Sequence, residues 1–164
     1  MSTTTTTTKF TPDQNRAVVA RYFTEYWAKG NVDIVDELCV KDYLIHYPMH
    51  GPVHGREASK KMLNDFRASF PDLTFWAVGP LIAENTPEGD FVVGRWDGGG
   101  THTGPAFADF AVGKLDTANT GKTIRFTGTS VFRLEGGKIV EEIGEEGALR
   151  AVSQLGFVPE LRWT

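Results

Sequence analysis

The chain's 164 residues suit a single domain, and a hydrophobic share of 40% is enough for a real core. A formal charge of −4 without any Lys/Arg run argues against a nucleic-acid or anionic-membrane partner. Cys39 is the only cysteine, which excludes an intrachain disulfide, argues against a cysteine metal cage and fits a reducing, cytoplasmic setting.

Residues 1–9 open with a threonine run and carry no apolar stretch, so they are expected to form a disordered tail rather than a secretory signal. A single domain is expected over 10–164. Thr11 is a candidate N-cap with Pro12 as first helical residue. Val19, Tyr22, Phe23, Tyr26 and Trp27 then recur at helical spacing until Gly30-Asn31 stops the helix. A short second helix places Ile34, Val35 and Leu38 inward. A strand follows over Tyr43–Tyr47, and Pro48 and Gly51-Pro52 break the chain. The third helix runs from about Arg56 to Ser69, with Met62, Leu63, Phe66 and Phe70 on one face.

Beyond Pro71-Asp72 the apolar period changes to two. Strands are predicted at Leu73–Val78, Leu81–Ala83, Phe91–Asp97, Thr123–Leu134 and Lys138–Ile143, with hairpin turns at Glu88-Gly89-Asp90 and Glu135-Gly136-Gly137. Gly98 to Gly104 reads as a glycine-rich loop carrying His102, and Gly104 to Gly121 as a long excursion between strands. A last helix spans Ala148 to Leu155. The apolar segment from Phe157 to Thr164 is a candidate to dock over a pocket or a partner. No apolar run is long enough to span a bilayer. Helices first and mostly antiparallel strands after them predict an α+β domain: a curved sheet packed on three N-terminal helices. An aromatic share of 12% suits a cavity for an organic ligand and an ordinary core equally.

Several local patterns occur in a fixed order. They are His46-Tyr47-Pro48, His54-Gly55-Arg56-Glu57-Ala58, Phe70-Pro71-Asp72-Leu73, Val93-Gly94-Arg95-Trp96, Gly100-Thr101-His102-Thr103-Gly104, Thr120-Gly121-Lys122, Phe132-Arg133, Gly137-Lys138-Ile139-Val140-Glu141 and Gln154-Leu155-Gly156. Over residues 13–157 this series resembles the SnoaL-like polyketide cyclases of the nuclear-transport-factor-2-like superfamily. The resemblance implies a cone-shaped barrel, a pocket between helices and sheet, no metal or organic cofactor, and frequently a homodimer joined through sheet faces. One departure stands out. The family's aromatic residue after the Lys-Ile-x-Glu segment is Ile143 here, and its acidic residue four positions on is Gly147, with Glu145 and Glu146 just before it.

Cofactor-free chemistry needs groups that move a proton near neutral pH: histidine, or a carboxylate whose pKa burial has raised. His46 is a candidate base or hydrogen-bond donor, with a core histidine as the alternative. His50 is a candidate at the pocket mouth, and His102, after three glycines, a candidate above it. Arg95 is placed to neutralise a developing enolate, or to form a structural ion pair. In the run Glu141 to Glu146, strict alternation puts Glu141, Ile143 and Glu145 on one face and Glu142 and Glu146 on the other. If Ile139 and Ile143 mark the interior, Glu141 and Glu145 are the acid/base candidates, a parity that a bulge near Gly144 would reverse. Trp27, Tyr47, Phe66, Trp76 and Ile143 are expected as pocket walls. His46, His50 and His54 are spaced by four, but Pro48 and Pro52 preclude a regular helix, and no metal is expected.

The expected function is a cofactor-independent enzyme of secondary metabolism acting on a polyketide-like or polycyclic small molecule by cyclisation, isomerisation or dehydration. Epoxide hydrolysis and a non-catalytic binding module are the alternatives.

Overall fold

The computed structural model describes residues 9–160; the first eight residues of the expected tail and the last four of the C-terminal segment lie outside them. Helix α1 covers Pro12–Tyr22 and starts at a capping box: Thr11 Oγ1 accepts the Gln14 amide at 3.2 Å and Gln14 Oε1 accepts the Thr11 amide at 2.9 Å. It continues as a π-helical turn over Phe23–Ala28, in which Lys29 donates to the Thr24 carbonyl five residues back. Then come α2 (Ile34–Leu38), β1 (Cys39–Tyr47), β2 (Gly51–His54), α3 (Arg56–Ser69), β3 (Thr74–Ala77), β4 (Ile82–Thr86), β5 (Gly89–Thr101), β6 (Thr123–Glu135), β7 (Lys138–Glu146) and α4 (Ala148–Gln154).

The seven strands form one curved sheet in the order β2-β1-β7-β6-β5-β3, with β4 on the same edge of β5 as β3. Only β1 and β7 run parallel; every other pair is antiparallel. The sheet curls without closing, so the barrel that the resemblance implied is corrected to an open sheet. Helices α1 and α3 cover its inner face. Val19, Tyr22, Leu63 and Phe70 pack there against Ile45, Val92, Phe132 and Ile139 in one continuous core. Among the described residues, no helix is long and apolar enough to cross a membrane.

Two segments differ from expectation. Gly51-Pro52 does not break the chain but opens β2, an edge strand where proline's missing N–H costs no ladder bond. Gly98 to Gly100 continue β5 instead of looping. They are glycine because other atoms take the side-chain space: a Cβ on Gly98 would sit 2.1 Å from the Phe75 ring. The excursion from His102 to Gly121 folds back on itself through a Phe107–Leu115 bridge. It packs Phe107 on Phe66 with ring centroids 5.5 Å apart, and Phe157 packs on Phe110 at 5.6 Å.

Candidate functional site

An open-mouthed hollow lies between the inner face of the sheet and the helices. Phe23 and Trp27 of the π turn and Met62 and Phe66 of α3 form one wall. Phe75, Trp96 and Phe126 rise from β3, β5 and β6 on the other. Tyr47, Met49 and His50, where β1 turns into β2, close one side together with Glu146 at the end of β7.

Beneath the aromatic wall Glu142 is fully buried. Tyr22 donates to its Oε2 at 2.7 Å, Trp27 Nε1 to its Oε1 at 3.1 Å, and the Tyr47 hydroxyl also to Oε1. Tyr22 and Trp27 are five residues apart. At 3.6 residues per turn they would diverge by about 140° in an α-helix. The wider π turn brings both onto one face and onto one carboxylate. Tyr47 spends its only proton on Glu142. Ser130 Oγ, 2.6 Å from the Tyr47 oxygen, must therefore donate to it, and in turn receives the Trp96 indole N–H at 2.9 Å. The chain Trp96–Ser130–Tyr47–Glu142 thus points every proton one way, toward the carboxylate. Burial pushes the Glu142 carboxyl up to about 7, and the Tyr47, Tyr22 and Trp27 donors hold it from rising further. Gly144 makes room for this arrangement: a Cβ there would sit 1.8 Å from the Tyr47 ring.

The network consumes the polar tips of Tyr47, Trp27 and Trp96, so those walls present only apolar ring surface to the hollow. Two polar groups remain. Glu146 accepts the Met49 amide on Oε1 at 2.7 Å, and among the described residues no donor bonds Oε2. Burial pushes this carboxyl up to about 7 as well, against the Met49 hydrogen bond and with help from Glu145. His50 Nδ1 lies 2.8 Å from the Gly51 carbonyl. A carbonyl only accepts, so Nδ1 carries the proton and Nε2 is the free, lone-pair nitrogen. Burial holds the His50 pKa below its ordinary value, which keeps the ring neutral. Among the described residues, no group of three or more His, Cys, Asp or Glu side chains could hold a metal ion.

The sequence candidates separate into two sets. Trp27, Tyr47, His50 and Phe66 line the hollow. The others face elsewhere. Tyr43, Ile45 and Tyr47 point inward from β1, so His46 is exposed on the outer face. Trp96 points inward, so Arg95 is exposed too. Trp76 is 40% exposed, with the Arg125 guanidinium 5.3 Å over its ring. His102 is fully buried, but away from the hollow: Nε2 donates to the Pro105 carbonyl at 2.6 Å and Nδ1 lies 2.9 Å from Thr120 Oγ1, pinning the excursion. On β7 the expected parity is inverted. The β6–β7 register steps from Leu134↔Ile139 to Arg133↔Glu141, leaving Val140 as an unpaired bulge residue. Ile139 stays inward, and after the bulge Glu142, Gly144 and Glu146 take the inner face. Glu141 and Ile143 are half-buried on the outer face, where Arg133 Nε lies 3.7 Å from Glu141, and Glu145 is exposed. The carboxylates that face inward are therefore the two that alternation had assigned to solvent.

The family model for SnoaL-like polyketide cyclases matches residues 17–155. The fold is shared with a protein from Jannaschia sp. CCS1 provisionally named a SnoaL-like polyketide cyclase. That match has a TM-score of 0.69 and 22% identity, over 92% of this chain and 99% of that one. It is also shared with IdmH of Streptomyces antibioticus, provisionally named a polyketide cyclase, at a TM-score of 0.62 and 24% identity over 90% and 99%. AclR of Streptomyces galilaeus, provisionally named a hydroxylase, matches at 0.69 and 18% over 93% and 91%. No curated protein matches the sequence at a significant level. With the family model spanning most of the chain and the open, helix-covered sheet in common with these structures, the chain belongs to the SnoaL-like polyketide cyclase family.

Proposed function

We propose that the protein is an enzyme that moves a proton within a flat, largely apolar, polyketide-like or polycyclic substrate, in a cyclisation, isomerisation or dehydration. One observation carries this reading: two proton acceptors without partners among the described residues, His50 Nε2 and Glu146 Oε2, border an otherwise apolar hollow. In this reading His50 Nε2 is the general base. It removes a proton from a carbon next to a carbonyl, or from a hydroxyl, and returns it to another atom of the same substrate. Its Nδ1–H, held on the Gly51 carbonyl, fixes the ring plane and the tautomer. Glu146, anchored by the Met49 amide, presents a second, negatively charged acceptor to the substrate. The aromatic walls exclude water and align a planar substrate. No residue in this scheme requires a metal or an organic cofactor.

Turnover by His50→Ala is the test. A positioned general base contributes about 10² to 10⁴ in rate. The variant is expected to lose that much kcat while its thermal transition stays near that of the parent. Unchanged turnover would remove the role from His50. A folded wild type that binds candidate substrates without converting them would favour a binding module instead.

A further inference from the structure

The reading above leaves open what kind of polar group the substrate brings into the hollow. The answer lies in which side of each hydrogen bond the walls have left. Every donor on the lining aromatics points away from the hollow: Trp27 and Tyr47 into Glu142, Trp96 into Ser130. The Met49 amide is spent on Glu146. What remains, His50 Nε2 and Glu146 Oε2, are acceptors. Among the described residues the lining contains neither Lys nor Arg.

The basic residues of α3 are engaged elsewhere. Lys60 pairs with Asp33 and Asp36, Lys61 with Asp65, and Arg56 donates to the Cys39 carbonyl. Arg67 donates to the carbonyls of Trp27 and Leu73. Burial holds the His50 pKa below its ordinary value, and its Nε2 presents a lone pair. The rings of Trp27, Tyr47, Phe75, Trp96 and Phe126 surround the remaining space. A largely aromatic enclosure with one carboxylate and without competing cations attracts positive charge: the ring quadrupoles contribute about 0.5–2 kcal/mol per cation, and the carboxylate beside them adds an ion pair in a poorly solvated place.

We propose that this hollow selects ligands bearing a protonated amine on a flat apolar body, and rejects carboxylates of the same shape. The inference rests on the hollow being the ligand site, as in the proposed function, and adds the charge of the ligand. Glu146 Oε2 receives the ammonium, His50 Nε2 accepts a second ligand donor, and the aromatic faces cover the rest.

Three isosteres test it by titration calorimetry on the full chain: naphthylmethylamine, naphthylmethanol and naphthoate, at about pH 8, where Glu146 is ionised. The amine is expected to bind about tenfold or more tighter than the alcohol, with naphthoate weakest. Glu146→Gln is expected to shrink the amine's advantage to a few-fold, since only the ring faces then favour the cation. Equal binding of amine and alcohol, or tighter binding of naphthoate, overturns the charge selection and leaves the hollow as the ligand site. An undiminished amine preference in Glu146→Gln overturns the role of Glu146. Failure of all three to bind overturns this inference and the proposed function together.

Discussion

Glu142→Leu is expected to lower the thermal transition by roughly 10 °C or more. Leucine fills much of the volume but accepts nothing, so Tyr22, Trp27 and Tyr47 each keep a buried donor without a partner. Each such group costs about 1–3 kcal/mol. A total of about 4 kcal/mol, at about 2–4 °C per kcal/mol for a chain of this size, gives the shift. Glu142→Gln separates shape from charge. The amide oxygen keeps two donors and the Tyr22 hydroxyl reverses to accept from the amide, for a loss of about 1 kcal/mol.

The same pair of proteins reports on pH. Burial raises the folded Glu142 pKa from 4.5 to about 7, so the fold favours the neutral acid. The stability this provides is complete below pH 4.5 and is lost as pH climbs through about 7, a change on the order of 3 kcal/mol. Gln does not titrate. Gln lies about 1 kcal/mol below wild type in acid, so the gap measured by thermal melts is expected to close and reverse in favour of Glu142→Gln as pH rises to neutral, and then to level off. A constant gap would show that Glu142 does not titrate in that window.

A second large effect on activity, beside that of His50→Ala, is expected at Glu146. Glu146→Gln keeps the acceptor for the Met49 amide but removes the charge, and kcat/KM is expected to fall about 10²-fold, the scale of one preorganised electrostatic contact. In the wild type both acceptors must be unprotonated. Glu146 titrates at about 7 and His50 below its ordinary value, so kcat/KM is expected to drop as pH falls through 7 and to drop more steeply below. In Glu146→Gln the limb near 7 disappears and only the lower one remains. A profile with the same limb in both proteins would assign it to another group.

The elements were largely legible in the sequence, because each carries its own local cause. Thr11-Pro12 capped α1, the stripe of α3 faced the core, and the period-two strands fell close to their predicted bounds. The aromatic side of the site was legible for the same reason: Trp27 and Phe66 lie on helical stripes, and Tyr47 alternates with Ile45 and Tyr43. The acidic side was not. Facing on β7 depends on one unpaired residue, Val140, that shows itself only in the pairing of two strands. A bulge was considered, but near Gly144, where glycine instead makes room for the Tyr47 ring.

His46 and Arg95 could have been placed from sequence. His46 sits between Ile45 and Tyr47, and Arg95 sits beside Trp96, apolar neighbours whose alternation puts both outside. His102 follows three glycines, yet Gly98, Gly99 and Gly100 make room for the Phe75 ring, the Ile124 carbonyl and the Leu73 backbone. Glu142 had one faint signal. Tyr22 and Trp27 both carry polar tips that must find partners when buried, and their five-residue spacing fits a π turn better than an α-helix.

The most direct measurement is a crystal structure of the full chain soaked with naphthylmethylamine. The ring is expected in the hollow against Trp27 and Trp96, with its ammonium within hydrogen-bond distance of Glu146 Oε2 or His50 Nε2. A ligand seated instead on the outer sheet face beside Trp76, with Phe66 and Met62 closed over an unfilled hollow, would contradict the account.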